Sequence, residues 1–251
     1  MTTPWDSDIN AMTLSDVEKN GLQVFRNYSS AFEKRRADQF AEQANKRPVD
    51  LSELGKLFEL LITEEIRTLP VIACAFADDQ LQAMFRREIP AEVPGGQNEL
   101  LTGFGPLSRL SQRIQIAHAF GWLSPDLLDE LNHLRKIRND ISHKWDIALL
   151  ESKLLQLIRD KQHPIEEALG DGVSLPEKFY EELNQFQRFR TRLLWLMGRL
   201  VYECQFWVPA LKDRHKPTSV LYGKGAPDLL GQVASLCVDY TRMVIRKKNE
   251  I

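Results

Sequence analysis

The feature that most constrains the fold is a helix stop followed almost at once by a helix start, at Gly121 and at Ser124-Pro125-Asp126. Glycine suits the left-handed conformation that ends many helices. A capping serine, a proline in the first turn and an acid against the helix dipole are typical of a helix N-terminus. Two helices joined by so short a connection pack antiparallel. The stretch 100–143 therefore predicts an antiparallel helical pair whose second helix ends near His143.

The rest of the chain also predicts helices. Apolar residues recur at helical spacing over 51–69, 71–87, 147–158, 176–207 and 228–244. The run VIACAF at 71–76 also fits a buried strand, but it continues into a helical pattern and no second strand is available to pair with it. The uneven stretch 13–40 predicts an amphipathic helix packed on one side.

These patterns predict an all-α multi-helix bundle. We expect a helical domain at 1–160 that includes an N-terminal helical extension, and a C-terminal helical region at 161–251 that packs on it. The segment 160–177, with its prolines and glycines, is the most natural hinge between them.

Composition narrows the classes of function. The chain has 251 residues, of which 43% are hydrophobic and 27% charged, as in ordinary globular proteins. A net charge of −2 gives no global attraction for polyanions, so nucleic acid would have to bind at a local patch. The first ten residues do not resemble a signal peptide, and no apolar run approaches the ~20 residues of a membrane helix. We expect a cytoplasmic protein with no membrane partner.

The chain shows no metal or cofactor motif. Cys74, Cys204 and Cys237 lie far apart in apolar runs, which favours buried, reduced thiols over zinc or redox chemistry. The histidines lack metal-ligand spacing, and Gly223-Lys224-Gly225 lacks the spacing of a phosphate-binding loop. We therefore expect neither a cofactor nor a metal.

The candidate catalytic residues are Arg138, Asn139 and His143, at the end of the second helix of the pair. Arg138 shares an arc with the apolar residues of that helix, so it is aimed at packed surface and needs a carboxylate, carbonyl groups or a phosphate. His143 lies on the face of Asn139, roughly 140° round the helix from Arg138. For all three to meet one ligand, a second subunit has to complete the site, which predicts a homodimer formed through 125–143.

A structural interpretation of the same residues stays open. Arginine and histidine near a helix C-terminus complement the helix dipole, which is worth about 0.3–1 kcal/mol. Arg138 could also pair with an acid such as Glu130 or Asp146.

A second candidate site is an anion- or RNA-binding stripe. Arg188, Arg192 and Arg199 share one face of the long helix predicted at 176–207. The alternative is that they form a solvated face opposite the core.

The segment from about 70 to 143 resembles the mannitol operon repressor family (MltR). The similarity rests on VIACAFADDQLQAMF, on LLTGFGPLSRLSQRIQIAHAFGWLS and on LNHLRKIRNDISH, which together cover roughly a third of the chain. The resemblance implies an all-helical regulator, named for repression of a sugar-alcohol operon, that acts through a protein partner or weak nucleic-acid contact. As in that family, no helix-turn-helix with a basic recognition helix is visible here.

The terminal RNDISH at 138–143 is also similar to the Arg-polar-x-x-x-His signature of HEPN domains. These are helical dimers that include metal-independent ribonucleases of toxin and defence systems, and many are thought to be non-catalytic. The similarity implies His143 as acid-base, Arg138 as the group that stabilises the phosphorane charge, and Asn139 as a positioning residue. It also implies an antitoxin as a possible partner. A pI near 6.2 departs from the basic surface of enzymes that handle long RNA.

Overall fold

The computed structural model describes residues 4–46, 49–143, 183–205 and 226–247. Within these ranges all regular structure is helical and there is no strand, so the all-α prediction is confirmed. The helices are α1 (Ser7–Asn10), α2 (Asp16–Asn45), α3 (Ser52–Thr63), α4 (Leu69–Glu88), α5 (Gly96–Leu101), α6 (Leu110–Ala119), α7 (Pro125–His143), α8 (Gln185–Gln205) and α9 (Asp228–Arg246).

Helix α8 lies at the centre of the bundle. Every residue from Leu193 to Cys204 is buried, and α3, α4, α7 and α9 all contact the helix. Gly198 allows α9 to approach closely, because a Cβ atom at that position would lie 2.6 Å from Sγ of Cys237. The long helix predicted at 176–207 is confirmed over 185–205.

The capped helical pair forms as α6 and α7. Gly121 has a φ of 74°, and the amide of Trp122 donates to the carbonyl of Ala117 at 2.8 Å, which closes α6. The Ser124 hydroxyl accepts from the amide of Leu127 at 3.4 Å, so serine caps α7 as expected. Helix α4, which contains VIACAF, packs on both members of the pair.

Two local features were not foreseen from the sequence. Gly96–Leu101 forms the short helix α5, which follows directly on Gly95 with its positive φ. Helix α2 forms and packs on one side as predicted, but the packed side is the polar one, and large apolar side chains on α2 face solvent. These residues are Val17, Val24, Phe25, Tyr28 and Phe32.

All three cysteines are free thiols and buried, as predicted. Burial raises the pKa of the Cys204 thiol far above its usual range, so this group is an inert part of the core. Among the described helices, none combines the length and the apolar character needed to cross a membrane. The boundary at 160/161 and the hinge at 160–177 lie outside the described residues, so the domain division stays a prediction.

Candidate functional site

Arg138 lies half-buried between α7 and α4, next to Cys74. Burial raises the pKa of the Cys74 thiol to about 11, while the nearby charges of Arg138 and Arg135 oppose this rise. Nε of Arg138 is buried and has no hydrogen-bond partner within the described part of the chain. The prediction that Arg138 faces packed surface is therefore confirmed.

The surroundings of Arg138 form what we call the α4–α6–α7 cluster: Cys74, Asp78, Arg113, Arg135 and Arg138. Arg113 of α6 is buried, forms an ion pair with Asp78 of α4, and donates to the carbonyl of Leu101 at 2.9 Å. Arg135 lies one turn before Arg138 on α7 and also acts on the Cys74 thiol. Three arginines and one carboxylate thus gather where the three helices meet.

The two other members of the predicted catalytic set are placed differently. Asn139 is exposed, on a different side of α7 from Arg138. His143 is the last residue of α7, and its side chain lies outside the described residues, as does the whole of Asp146. Arg138 and Asn139 therefore do not converge on one ligand within a single chain. Glu130, considered as a partner for Arg138, forms an ion pair with Arg192 of α8.

The predicted arginine stripe on α8 is largely internal. Arg199 is 1% exposed and its Nε lies 2.7 Å from Oε1 of Glu203. Arg192 is also mostly buried, in its pair with Glu130, and Nε of Arg188 donates to the carbonyl of Leu183 at 3.0 Å. The interpretation of this face as solvated is wrong at Arg199, which is buried and neutralised by the Glu203 carboxylate. An anion- or RNA-binding role for Arg188, Arg192 and Arg199 stays a prediction without an exposed stripe to support it.

A buried polar network joins the start of α7 to α8, and sequence reasoning missed it. Ser124 donates to both carboxylate oxygens of Glu203, from its amide at 3.0 Å and from its hydroxyl at 3.1 Å. Arg199 donates to the same serine hydroxyl at 2.6 Å. The three side chains are each less than a tenth exposed, which denies a substrate access to the serine. The network therefore fixes the α6–α7 turn on the central helix.

No group of three or more potential metal ligands occurs among the described residues. Comparison with protein-family models, with curated proteins and with solved structures found no match to this chain. The resemblances to mannitol operon repressors and to HEPN domains accordingly stay predictions.

Proposed function

We propose that this chain is an all-helical cytoplasmic regulatory protein of the mannitol operon repressor type, acting in transcriptional or stress regulation through binding of a protein partner. The observation that carries the proposal is the position of Arg138, which points into the α4–α6–α7 cluster and away from the exposed Asn139. This arginine holds helices together, and the motif residues need not act as one catalytic group.

The electrostatics of the cluster support a structural role. A guanidinium between helices is costly unless it has a polar partner, and here Arg138 makes a side-chain hydrogen bond with the Cys74 thiol. A ribonuclease needs its arginine free to meet a phosphate from solvent. The half-buried setting of Arg138 opposes that access.

Two variants on adjacent residues test the proposal. Arg138→Ala should lower the free energy of unfolding by about 1–3 kcal/mol, since it removes the hydrogen bond to the Cys74 thiol and the packing of a half-buried side chain. Asn139→Ala is the matched control and should change it by less than about 0.5 kcal/mol, because its side chain is exposed. Urea unfolding measures both, and purified protein in chelator should leave total RNA intact. Equal stability of the two variants would contradict the structural role of Arg138.

Regulation itself is tested by transcript levels after deletion of the gene. We expect changed expression of a neighbouring operon, restored by the wild-type protein and equally by His143→Ala, since the proposal gives His143 no catalytic task. Failure of His143→Ala to restore expression would count against it.

The second candidate is a HEPN-type, metal-independent endoribonuclease with an antitoxin partner. It is favoured by one observation: Arg135 and Arg138, one turn apart, bring local positive charge to α7 directly before Asn139, despite the net charge of −2. For a ribonuclease of this type we expect RNA cleavage in the presence of chelator, with products that end in a 2′,3′-cyclic phosphate. The activity should be lost in both His143→Ala and Arg138→Ala at temperatures where both variants are folded.

A further inference from the structure

Helix α2 carries a continuous apolar stripe on its solvent side. The exposed fractions are 80, 67, 70, 73 and 53% for Val17, Val24, Phe25, Tyr28 and Phe32, respectively. At about 100° per residue these five side chains fall within an arc of roughly 100°, and at about 1.5 Å per residue they extend over about 22 Å. Exposed apolar residues that are contiguous, unlike scattered ones, mark an interaction surface.

The opposite side of α2 is already used. The indole of Trp5 donates to Asn20 at 2.8 Å, and Arg26 forms ion pairs with Asp6 at 3.0 Å and with Asp8 at 2.7 Å. The N-terminal arm and α1 thus pack on the polar side. The orientation of α2 is fixed by these contacts, and it leaves the apolar stripe facing outward.

The spacing along the stripe matches a helix–helix seam. Small or apolar residues recur in steps of three and four, at Val17, Gly21, Val24, Tyr28 and Ala31. Such alternation is the repeat of two-stranded coiled coils. We propose that α2 of a second copy of this chain covers the stripe, with the two helices antiparallel. The proposal goes beyond the function above and does not depend on it.

Charge favours the antiparallel direction. The first turn of α2 carries Asp16 and Glu18, whereas the arc of the stripe continues past Phe32 to the exposed Arg35. A parallel pair would bring Arg35 next to its own copy and the acids next to theirs. Antiparallel pairing, centred between Val24 and Phe25, brings Arg35 of each copy to the acidic turn of the other.

The area is sufficient for association. Aromatic side chains bury about 150–250 Å² each when packed, and the stripe carries three of them. Pairing two stripes removes on the order of 1,200 Å² of mostly apolar surface from water, which reaches the lower end of stable, specific interfaces.

This surface differs from the one predicted for a dimer at 125–143. There the apolar residues Leu127, Leu131, Leu134 and Ile137 are at most 2% exposed, because α7 packs on its own chain. Among the described side chains of α7, no apolar stripe comparable to that of α2 is left for a partner.

The first test is the mass of the full chain in solution, measured by sedimentation or light scattering over a range of concentrations. We expect a concentration-dependent dimer for the wild type and for Ser30→Glu, a control on the polar side of the same helix. The double variant Phe25→Glu/Tyr28→Glu should be monomeric and keep its helical circular dichroism, since these side chains are 70% and 73% exposed in the monomer. A wild-type protein that stays monomeric at high micromolar concentration, or a double variant that still dimerises, would overturn the proposal.

The second test is disulfide crosslinking, which shows whether the two α2 helices pair antiparallel or parallel. The native cysteines are buried, so an introduced thiol on α2 reacts alone. At the centre of an antiparallel pair, Val24→Cys should form covalent dimers readily. Val17→Cys should do so at least tenfold less, because the two copies of that residue lie about 22 Å apart along the seam. Mixing Val17→Cys with Phe32→Cys should restore crosslinking. Equal crosslinking of Val17→Cys and Val24→Cys would overturn the antiparallel arrangement.

Discussion

Helices α8 and α2 place their polar and apolar residues in opposite ways. Helix α8 buries a continuous run from Leu193 to Cys204, including the charged Arg199 and Glu203. Helix α2 exposes large apolar side chains and uses its polar side for packing against α1. Burial of charge is tolerated on α8 because each charged group has a partner at hydrogen-bonding distance. Val17, Val24, Phe25 and Tyr28 of α2 are instead 67–80% exposed, and a partner helix would cover them.

The largest expected effect comes from breaking the internal pair of α8. Glu203→Leu leaves the Arg199 guanidinium buried without its carboxylate, which should lower the free energy of unfolding by about 3–5 kcal/mol. On α2 the pair Glu42–Lys46 has the same spacing of four residues, but its side chains are 71% and 69% exposed. Glu42→Leu should therefore cost at most about 0.5 kcal/mol. Urea unfolding of the two variants compares a buried Arg–Glu pair with an exposed Lys–Glu pair at the same spacing.

The double variant Arg199→Leu/Glu203→Leu distinguishes the energetic contribution of the ion pair from that of the packing around it. Because it leaves no unpaired charge, it should recover much of the stability lost in Glu203→Leu. Similar losses for Glu203→Leu and Glu42→Leu would mean that burial of the α8 pair has little energetic consequence.

Local sequence signals predicted local structure well. The stop at Gly121 and the start at Ser124-Pro125-Asp126 depend on backbone conformation and on hydrogen bonds within a few residues, and both are confirmed. Likewise, the continuation of VIACAF into a helical pattern correctly favoured a helix, because a strand needs a partner elsewhere in the chain.

Contacts between distant segments could not be predicted in the same way. Ser124 and Glu203 are 79 residues apart, and periodicity shows which residues face inward without showing which charges meet there. A signal did exist, since Arg199 and Glu203 are four residues apart inside a strongly apolar helix, a spacing that suits an ion pair. For α2, an apolar face predicts burial but does not show whether the cover belongs to the same chain or to another.

A smaller effect is expected from glycine substitutions in the two helices. Gly198→Ala on α8 places a Cβ atom 2.6 Å from Sγ of Cys237 and 3.1 Å from Cγ1 of Val233, so α9 must shift. We expect a loss of about 1–3 kcal/mol from overpacking. Gly21→Ala on α2 meets no atom within 4 Å and should instead stabilise the chain by about 0.5–1 kcal/mol, since alanine favours the helix.

In thermal and urea unfolding, Gly198→Ala should thus lower the free energy of unfolding, whereas Gly21→Ala should raise it. Combining Gly198→Ala with Cys237→Ala removes the colliding sulfur and should cost less than the sum of the two single changes. A neutral Gly198→Ala would show that the crossing of α8 and α9 is looser than the atomic distances indicate.

The smallest effect is a pH dependence confined to the polar side of α2. Hydrogen bonds from Arg26 hold the pKa of Asp6 below its usual range and lower that of Asp8 to about 2. A carboxylate whose pKa is lower in the folded state than its unfolded value, about 3.9, contributes stability above that value and loses it as pH falls through the folded pKa. The contact between α1 and α2 should therefore persist at pH 4 and open as the pH approaches about 2. The indole NH resonance of Trp5, which donates to Asn20 of α2, reports this opening, and that of Trp195, buried in α8, serves as the reference. Arg26→Gln should move the Trp5 transition up towards pH 4 and leave Trp195 unchanged, whereas a wild-type transition already near pH 4 would show that Arg26 does not hold these carboxylates.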